Sequence, residues 1–204
     1  PPLYKVKNGK EELYLKDGPA LNHFLLRVAL QGANVTTGSD TPRTIEGEEL
    51  AKLANMHLAA ETVIERLSSY LDAEALRAIA DGVQIKLDTL QDAMDCAPVL
   101  EAKLRELTTT GVPAEVSGEL DPHTEKPILR ISRHHHGNIK SSIITQEFVE
   151  GHDYAALAAE AQNFHGLLAE GAKVTRGEGE KAKMEKVSDF RQAMQWLISG
   201  AERT

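Results

Sequence analysis

The stretch GEELAKLANMHLAAETVIERLSSYL, Gly47 to Leu71, decides how the rest of the chain is read. Leu50, Leu53, His57, Ala60, Ile64, Leu67 and Leu71 recur at spacings of three and four, the seam of a long amphipathic helix. Small residues interrupt the seam and it runs for fewer than four heptads, so it predicts a helix lying on its own domain rather than a free coiled coil. His57 falls on the seam. A ligand role needs partners one turn away, where Leu53 and Glu61 supply at most one, so His57 reads as a core residue.

Towards the N-terminus the period changes to that of strands. In Tyr4-Lys5-Val6-Lys7-Asn8-Gly9-Lys10-Glu11-Glu12-Leu13-Tyr14-Leu15, Asn8-Gly9 is the favoured pair for a two-residue type I′ turn. A turn there sets Tyr4 opposite Leu13, Val6 opposite Glu11 and Lys5 opposite Glu12, with Tyr4, Val6, Leu13 and Leu15 on one face. A lone hairpin is marginal in water, so that face needs cover from other chain. Asp17-Gly18-Pro19 then starts a short helix. Leu26, Val28 and Leu30 alternate with Arg27, Ala29 and Gln31, and the turn at Gln31-Gly32 leads into Ala33 to Thr37, which predicts a second hairpin closed by a loop at Ser39 to Pro42.

Beyond the long helix, Asp72 caps a second helix that Asp81-Gly82 stops after Ala80. Val83 to Leu87 alternates like a strand yet runs into the helical pattern of Asp88 to Met94, and its state stays open. Ala97-Pro98 opens a further helix with Leu100, Leu104 and Leu107 inward. Val112 to Leu120, Pro127 to Arg133 and Ile139 to Thr145 predict an antiparallel meander, with breaks at Asp121-Pro122-His123 and Gly137-Asn138. Asp153 caps a helix from Tyr154 to Leu168, and Ala172 to Arg176 returns as a strand. Gly177 to Lys186 has the composition of an exposed loop, and Ser188 caps a last helix carrying Phe190, Met194, Trp196 and Leu197. The fold class is α+β: N-terminal β-hairpins, a helical middle with one long amphipathic helix, then an antiparallel meander and helices.

Composition narrows the function. A chain of 204 residues can bury a sizeable core. Hydrophobic residues make up 41% and no run reaches the length of a membrane span, which points to no membrane partner and a cytoplasmic location. The single cysteine, Cys96, excludes an internal disulfide and a multi-cysteine zinc site. A formal net charge of −8 opposes long-range attraction to nucleic acid, and at 4% the aromatic residues are too few for a stacking platform. Any nucleic-acid contact must be local.

His134-His135-His136 is the one cluster of ligand-type residues. On a strand His134 and His136 share a face, and His123 or His152 could add a third nitrogen, which makes an independent metal- or ligand-binding module one alternative. No cysteine or paired acid stands at ligand spacing, so a solvated loop or strand end is the expected state. Arg130, Arg133 and Lys140 beside it form a local basic patch suited to phosphate or an acidic partner. Arg176-Gly177-Glu178-Gly179-Glu180-Lys181 fails as a phosphate loop, because a third glycine is missing and two glutamates repel phosphate. Hydrolase, zincin and two-metal motifs are absent from the sequence, which assigns no catalytic residue and no metal ligand. A helix-presenting interaction domain built on Gly47 to Leu71 is the other alternative.

Pro1-Pro2-Leu3-Tyr4-Lys5-Val6-Lys7, Tyr14-Leu15-Lys16-Asp17 and the helix with Leu21 resemble the segment that closes the Toprim domain of the DNA gyrase B subunit. Phe148-Val149-Glu150-Gly151, Gly166-Leu167-Leu168 and Phe190-Arg191-Gln192-Ala193-Met194-Gln195-Trp196-Leu197 look like the large insertion that interrupts Toprim in some bacterial gyrases. The resemblance divides the chain into a Toprim edge at 1–24, an insertion domain at 25–200 and the start of a return to Toprim at 201–204. It implies ATP-dependent negative supercoiling by a whole A2B2 type IIA topoisomerase that uses ATP and Mg. The implied partners are DNA, the remainder of the B subunit, and the gyrase A subunit. The family's metal-binding acids and nucleotide site fall outside this sequence, so what carries over is a non-catalytic, architectural role without a cofactor of its own. Lys5, Lys7 and Lys10, with Arg130, Arg133 and Lys140, are the candidate contacts to DNA or the A subunit.

Overall fold

Two separate clusters of buried apolar side chains organise the chain, one drawn from residues 26–54 and 168–201, the other from residues 60–157. The computed structural model describes residues 4–8, 11–15, 18–164 and 166–202, with side chains described for 24–164 and 166–201. In chain order the elements are β1 (Tyr4–Asn8), β2 (Glu11–Leu15), α1 (Gly18–Leu30), β3 (Ala33–Thr36), β4 (Thr44–Glu46), α2 (Gly47–Leu67), α3 (Ala73–Ala80), α4 (Leu90–Leu107), β5 (Glu115–Leu120), β6 (Pro127–His135), β7 (Asn138–Thr145), α5 (Gln146–Val149), α6 (His152–Phe164), β8 (Lys173–Arg176), β9 (Lys183–Lys186) and α7 (Phe190–Glu202). The α+β class is as the sequence indicates. Residues up to Leu58 together with those from Asn163 form one compact unit, and Ala59–Gln162 forms the other.

In the first unit β1 and β2 pair antiparallel, but two residues away from the register expected of an Asn8-Gly9 turn. Tyr4 pairs with Leu15, Lys5 with Tyr14, Val6 with Leu13, Lys7 with Glu12 and Asn8 with Glu11. Asn8 thus belongs to the strand. Gly9, and the side chains of the expected apolar face, lie outside the described residues. The second hairpin does not form, because Leu26 to Leu30 continue α1. Leu21, Phe24, Leu25 and Val28 stand at i, i+3, i+4 and i+7, and this helical period wins over three alternating residues. Gly32, at φ +67°, provides the left-handed residue that ends the helix.

β3 is an inner strand of an antiparallel sheet ordered β4-β3-β8-β9. Val35 pairs with Ile45 on one side and Val174 on the other, giving a row of fully buried β-branched side chains across three strands. Phe190, Met194 and Leu197 of α7 are equally buried and belong to the same cluster. The cap of α7 is Asp189, whose carboxylate accepts from the Gln192 N–H at 2.8 Å, whereas Ser188 donates its N–H and hydroxyl to the Gln192 side chain. Residues 177–186 are exposed as composition suggests, but their second half is ordered as β9 by pairing with β8.

In the second unit Asp72 caps α3 by accepting from the Ala75 N–H at 3.0 Å, and Gly82 follows its end at φ +118°. The long helix α2 stops at Leu67, so Leu71 is buried but lies past its end. Val83 to Leu87 does bury alternate side chains, Ile85 and Leu87, without joining a sheet. Its backbone is satisfied differently: the Ile85 N–H donates to the Tyr154 hydroxyl and the Lys86 N–H to the Cys96 sulfur. Thr89 and Asp92 form a reciprocal capping box, and the helix they start runs on to Leu107 with Pro98 inside it. Two expected helices are therefore one. Burial of Ala93, Ala97, Leu100 and Leu104 on a single face outweighs the one backbone bond that Pro98 cannot make.

The expected meander is present as the sheet β5-β6-β7. Leu129 and Ile131 of β6 and Ile144 of β7 are buried in the same cluster as α4. Close approach of β5 to α4 requires a residue without a side chain: a Cβ on Gly118 would fall on the Ala93 carbonyl and 2.6 Å from the Met94 nitrogen. The helix expected up to Leu168 is α6, which ends at Phe164 and is preceded by the short α5.

Candidate functional site

The basic patch anticipated around β6 and β7 is divided between the two faces of the sheet, because Arg130 and Arg133 stand three residues apart on one strand. Arg130 and Arg133 sit on β6, and Lys140 on β7 pairs directly with Arg133. Both arginines are engaged inside the unit. Arg130 donates Nε–H to Glu119 across the β5–β6 pair at 2.6 Å. The Arg133 fork donates from Nε to Asp72 at 2.9 Å and from Nη2 to Asp72 at 3.2 Å and to Glu74 at 2.9 Å. The Glu74 carboxylate accepts further from the Thr108 hydroxyl, at 2.8 Å, just past the end of α4. Arg133 thereby ties a sheet strand to the cap and first turn of α3, and through Glu74 to the end of α4. Its pKa is raised above the ordinary arginine value, first by the hydrogen bond to Asp72 and then by the fields of Asp72 and Glu74, against a lowering from burial.

Arg77 repeats the arrangement on α3, with both ends of its guanidinium on the Glu61 carboxylate of α2. Burial lowers its pKa, but the bond to Glu61 and the fields of Glu61, Glu160 and Asp81 outweigh that and raise it. Lys140 is exposed and takes part in no salt bridge among the described residues. The side chains of Lys5 and Lys7, on β1, and all of Lys10 lie outside the described residues.

The histidine cluster forms the tip of the β6–β7 hairpin. His134 pairs with Ile139 and His135 with Asn138, which leaves His136 and Gly137 as the two-residue turn at φ +48° and +80°. His136 therefore does not share a strand face with His134. All three are exposed, and the rings of His135 and His136 meet edge-on at 4.1 Å. Neither they nor His123 or His152 belong to a group of three close metal-ligating side chains among the described residues. His57, by contrast, is buried at 4% exposure, with its ring 6.4 Å from that of Phe164.

A second place escaped sequence reading because 177–186 looked like mere loop. In the first unit, Arg176 of β8, Lys183 and Lys186 of β9, and Trp196 of α7 line a cleft of about 600 Å³. The cations lining it could not be grouped from the sequence, because Arg176 and Lys183 meet only once β9 pairs with β8.

In sequence the chain is similar to segments of the B subunits of type 2 topoisomerases. The B subunit of a type 2 topoisomerase from Aquifex aeolicus is 40% identical over 53 residues, 26% of this chain and 6% of that protein. The DNA gyrase B subunit from Myxococcus xanthus is 32% identical over 87 residues, 43% of this chain and 10% of that protein, and its counterpart from Rickettsia felis is 26% identical over 167 residues, 78% and 19%. Residues 33–201 match the DNA gyrase B subunit insert domain, so the chain belongs to that family, and residues 2–30 match the family described as GyrB, hook. The hook match covers the segment that resembles the Toprim edge. The chain spans at most about a fifth of the length of these relatives. The matches do not favour an independent metal module or a free helix-presenting domain. Among the described residues no helix is long and apolar enough to cross a membrane.

Proposed function

We propose that this chain is a non-catalytic, architectural part of the DNA gyrase B subunit, in which an insertion braces the rest of that protein against DNA and the gyrase A subunit. What carries the reading is the pair of family matches running from residue 2 to residue 201. The second unit has the character of a brace. Arg77 and Arg133 link α2 to α3, and β6 to α3, through charge-assisted hydrogen bonds that resist shear between elements. Arg130, Arg133 and Lys140 in the second unit, and Lys5, Lys7 and Lys10 in the first, are the candidate contacts to DNA or the A subunit. ATP and Mg, by this reading, serve other parts of the cytoplasmic A2B2 enzyme, and 1–24, 25–200 and 201–204 are the segments belonging to Toprim, insertion and Toprim.

Deleting the insertion from the complete gyrase B protein tests this. Supercoiling and DNA binding weaken while ATP hydrolysis persists, and the isolated chain neither hydrolyses ATP nor cleaves DNA. Unchanged supercoiling after the deletion overturns the bracing role.

A further inference from the structure

The β8–β9 ribbon sets like charges face to face twice in four residues. Arg176 pairs directly with Lys183, and Lys173 with Lys186. Like charges directly opposite one another destabilise an antiparallel pair. None of these four cations takes part in a salt bridge among the described residues, in a chain whose net charge is −8. Arg176 and Lys183 share their face of the ribbon with one acid, Glu185, while Lys173 and Lys186 share the other face, so cations outnumber the acid on both and an anion brought from outside can supply the missing charge.

The wall opposite the ribbon has a different chemistry. Gln192, Gln195, Trp196 and Ser199 stand at i, i+3, i+4 and i+7 on α7, a neutral polar stripe that faces the cleft while Phe190, Met194 and Leu197 face the core. Trp196 is half-buried and presents an aromatic surface beside the cations. The close fit of Arg176 depends on Gly200, where a Cβ would fall on the guanidinium, 2.8 Å from Cζ. A bare inorganic anion has no use for an indole and a row of amides. A phosphate joined to a planar, hydrogen-bonding ring uses both walls, since base–indole stacking tolerates any base and cationic side chains take the phosphate. The volume of about 600 Å³ is within the range of small-ligand sites.

We propose that this cleft binds one nucleotide unit, its phosphate held by Arg176 and Lys183, with Lys186 closing the rim, and its base laid on Trp196. Glu185, on the same rim, selects against ligands with excess negative charge. The site is independent of the bracing role: losing nucleotide binding leaves the effect of deleting the insertion unchanged, and a dispensable insertion would leave binding to the chain unchanged.

Trp196 is the only tryptophan, so its fluorescence reports on the cleft. The chain is titrated with thymidine 5′-monophosphate, with single-stranded decathymidylate and with a decaglutamate peptide. Saturable quenching by either thymidine probe is expected: response to the mononucleotide marks a site for free nucleotide, and response to the strand alone marks a site for single-stranded nucleic acid. With one phosphate neutralised, the strand's Kd rises about 1.6-fold for each doubling of salt. Lys183→Gln and Lys186→Gln, at exposed positions, each weaken binding several-fold with the far-UV spectrum unchanged. Gly200→Ala weakens it too, by displacing the guanidinium without removing a charge. Absence of quenching by both thymidine probes, equal binding of decaglutamate, or full affinity in the double lysine variant or in Gly200→Ala overturns the proposal.

Discussion

Gly118 of β5 lies so close to Ala93 of α4 that a Cβ on the glycine would occupy the space of the Ala93 carbonyl. The obstacle is helix backbone, which cannot rotate away as a side chain can. Gly118→Ala should therefore push β5 off α4 and cost about 3 kcal/mol by overpacking. Urea unfolding monitored by far-UV dichroism measures this, and a loss under about 0.5 kcal/mol would mean that strand and helix separate freely.

Arg133 serves two carboxylates, and removing it leaves Asp72 and Glu74 facing each other. Arg133→Met should lower stability by about 2 kcal/mol, a charge-assisted network at a partly exposed site. Its pKa is raised on folding, so the stabilisation is fully present below the unfolded arginine value and is lost only as pH climbs beyond it. The difference between variant and parent should stay flat from about pH 7 to pH 10. A difference that shrinks over that range, in parallel thermal melts, would assign the effect to another group.

Thr89 begins α4 by accepting from the Asp92 N–H, while Asp92 accepts from the Thr89 N–H. Thr89→Ala removes one half of this exchange and should cost about 1 kcal/mol. Hydrogen exchange should localise the loss to the first turn of α4, and protection spread evenly over the helix would contradict a capping role.

His136 holds a left-handed conformation that the type I′ turn imposes on it beside Gly137. Asparagine adopts this conformation at lower cost, so His136→Asn should raise stability by about 0.5 kcal/mol, and His136→Val should lower it. The midpoint of thermal unfolding distinguishes the two, and a destabilising asparagine would mean that the imidazole itself is held by the fold.

Local chemistry was legible wherever a segment answers to its own neighbours. Asp72 before α3, the 47–67 helix and the three strands of the meander follow from capping preference and from apolar period. Where two local signals competed, tertiary burial chose. Leu26, Val28 and Leu30 alternate, yet α1 carries them, and it buries Leu26 and Ala29, three positions apart, in the core of the first unit. Pro98 reads as a helix start, yet it sits inside α4 because the face with Ala97 and Leu100 is buried on both sides of it.

The site was less visible than the fold. A spacing of three along a strand sets Arg130 and Arg133 on opposite faces, so of the three only Arg133 and Lys140 stand side by side. Which carboxylates claim the arginines could not be read, because Asp72 lies 61 positions from Arg133 and only packing of α3 on the sheet joins them.

By itself, then, the sequence determined the α+β class, the long helix, the meander and the kinship with the gyrase B family, because period, caps and motifs are properties of contiguous residues. Only the tertiary structure decided the β1–β2 register, the ion pairs that engage Arg130 and Arg133, and the cleft where Arg176 meets Lys183. The pairing of Arg133 with Asp72, 61 positions away, is set when buried surfaces fit together, and the nearer contacts depend on which residues the strands place opposite one another, which local residue preference does not specify.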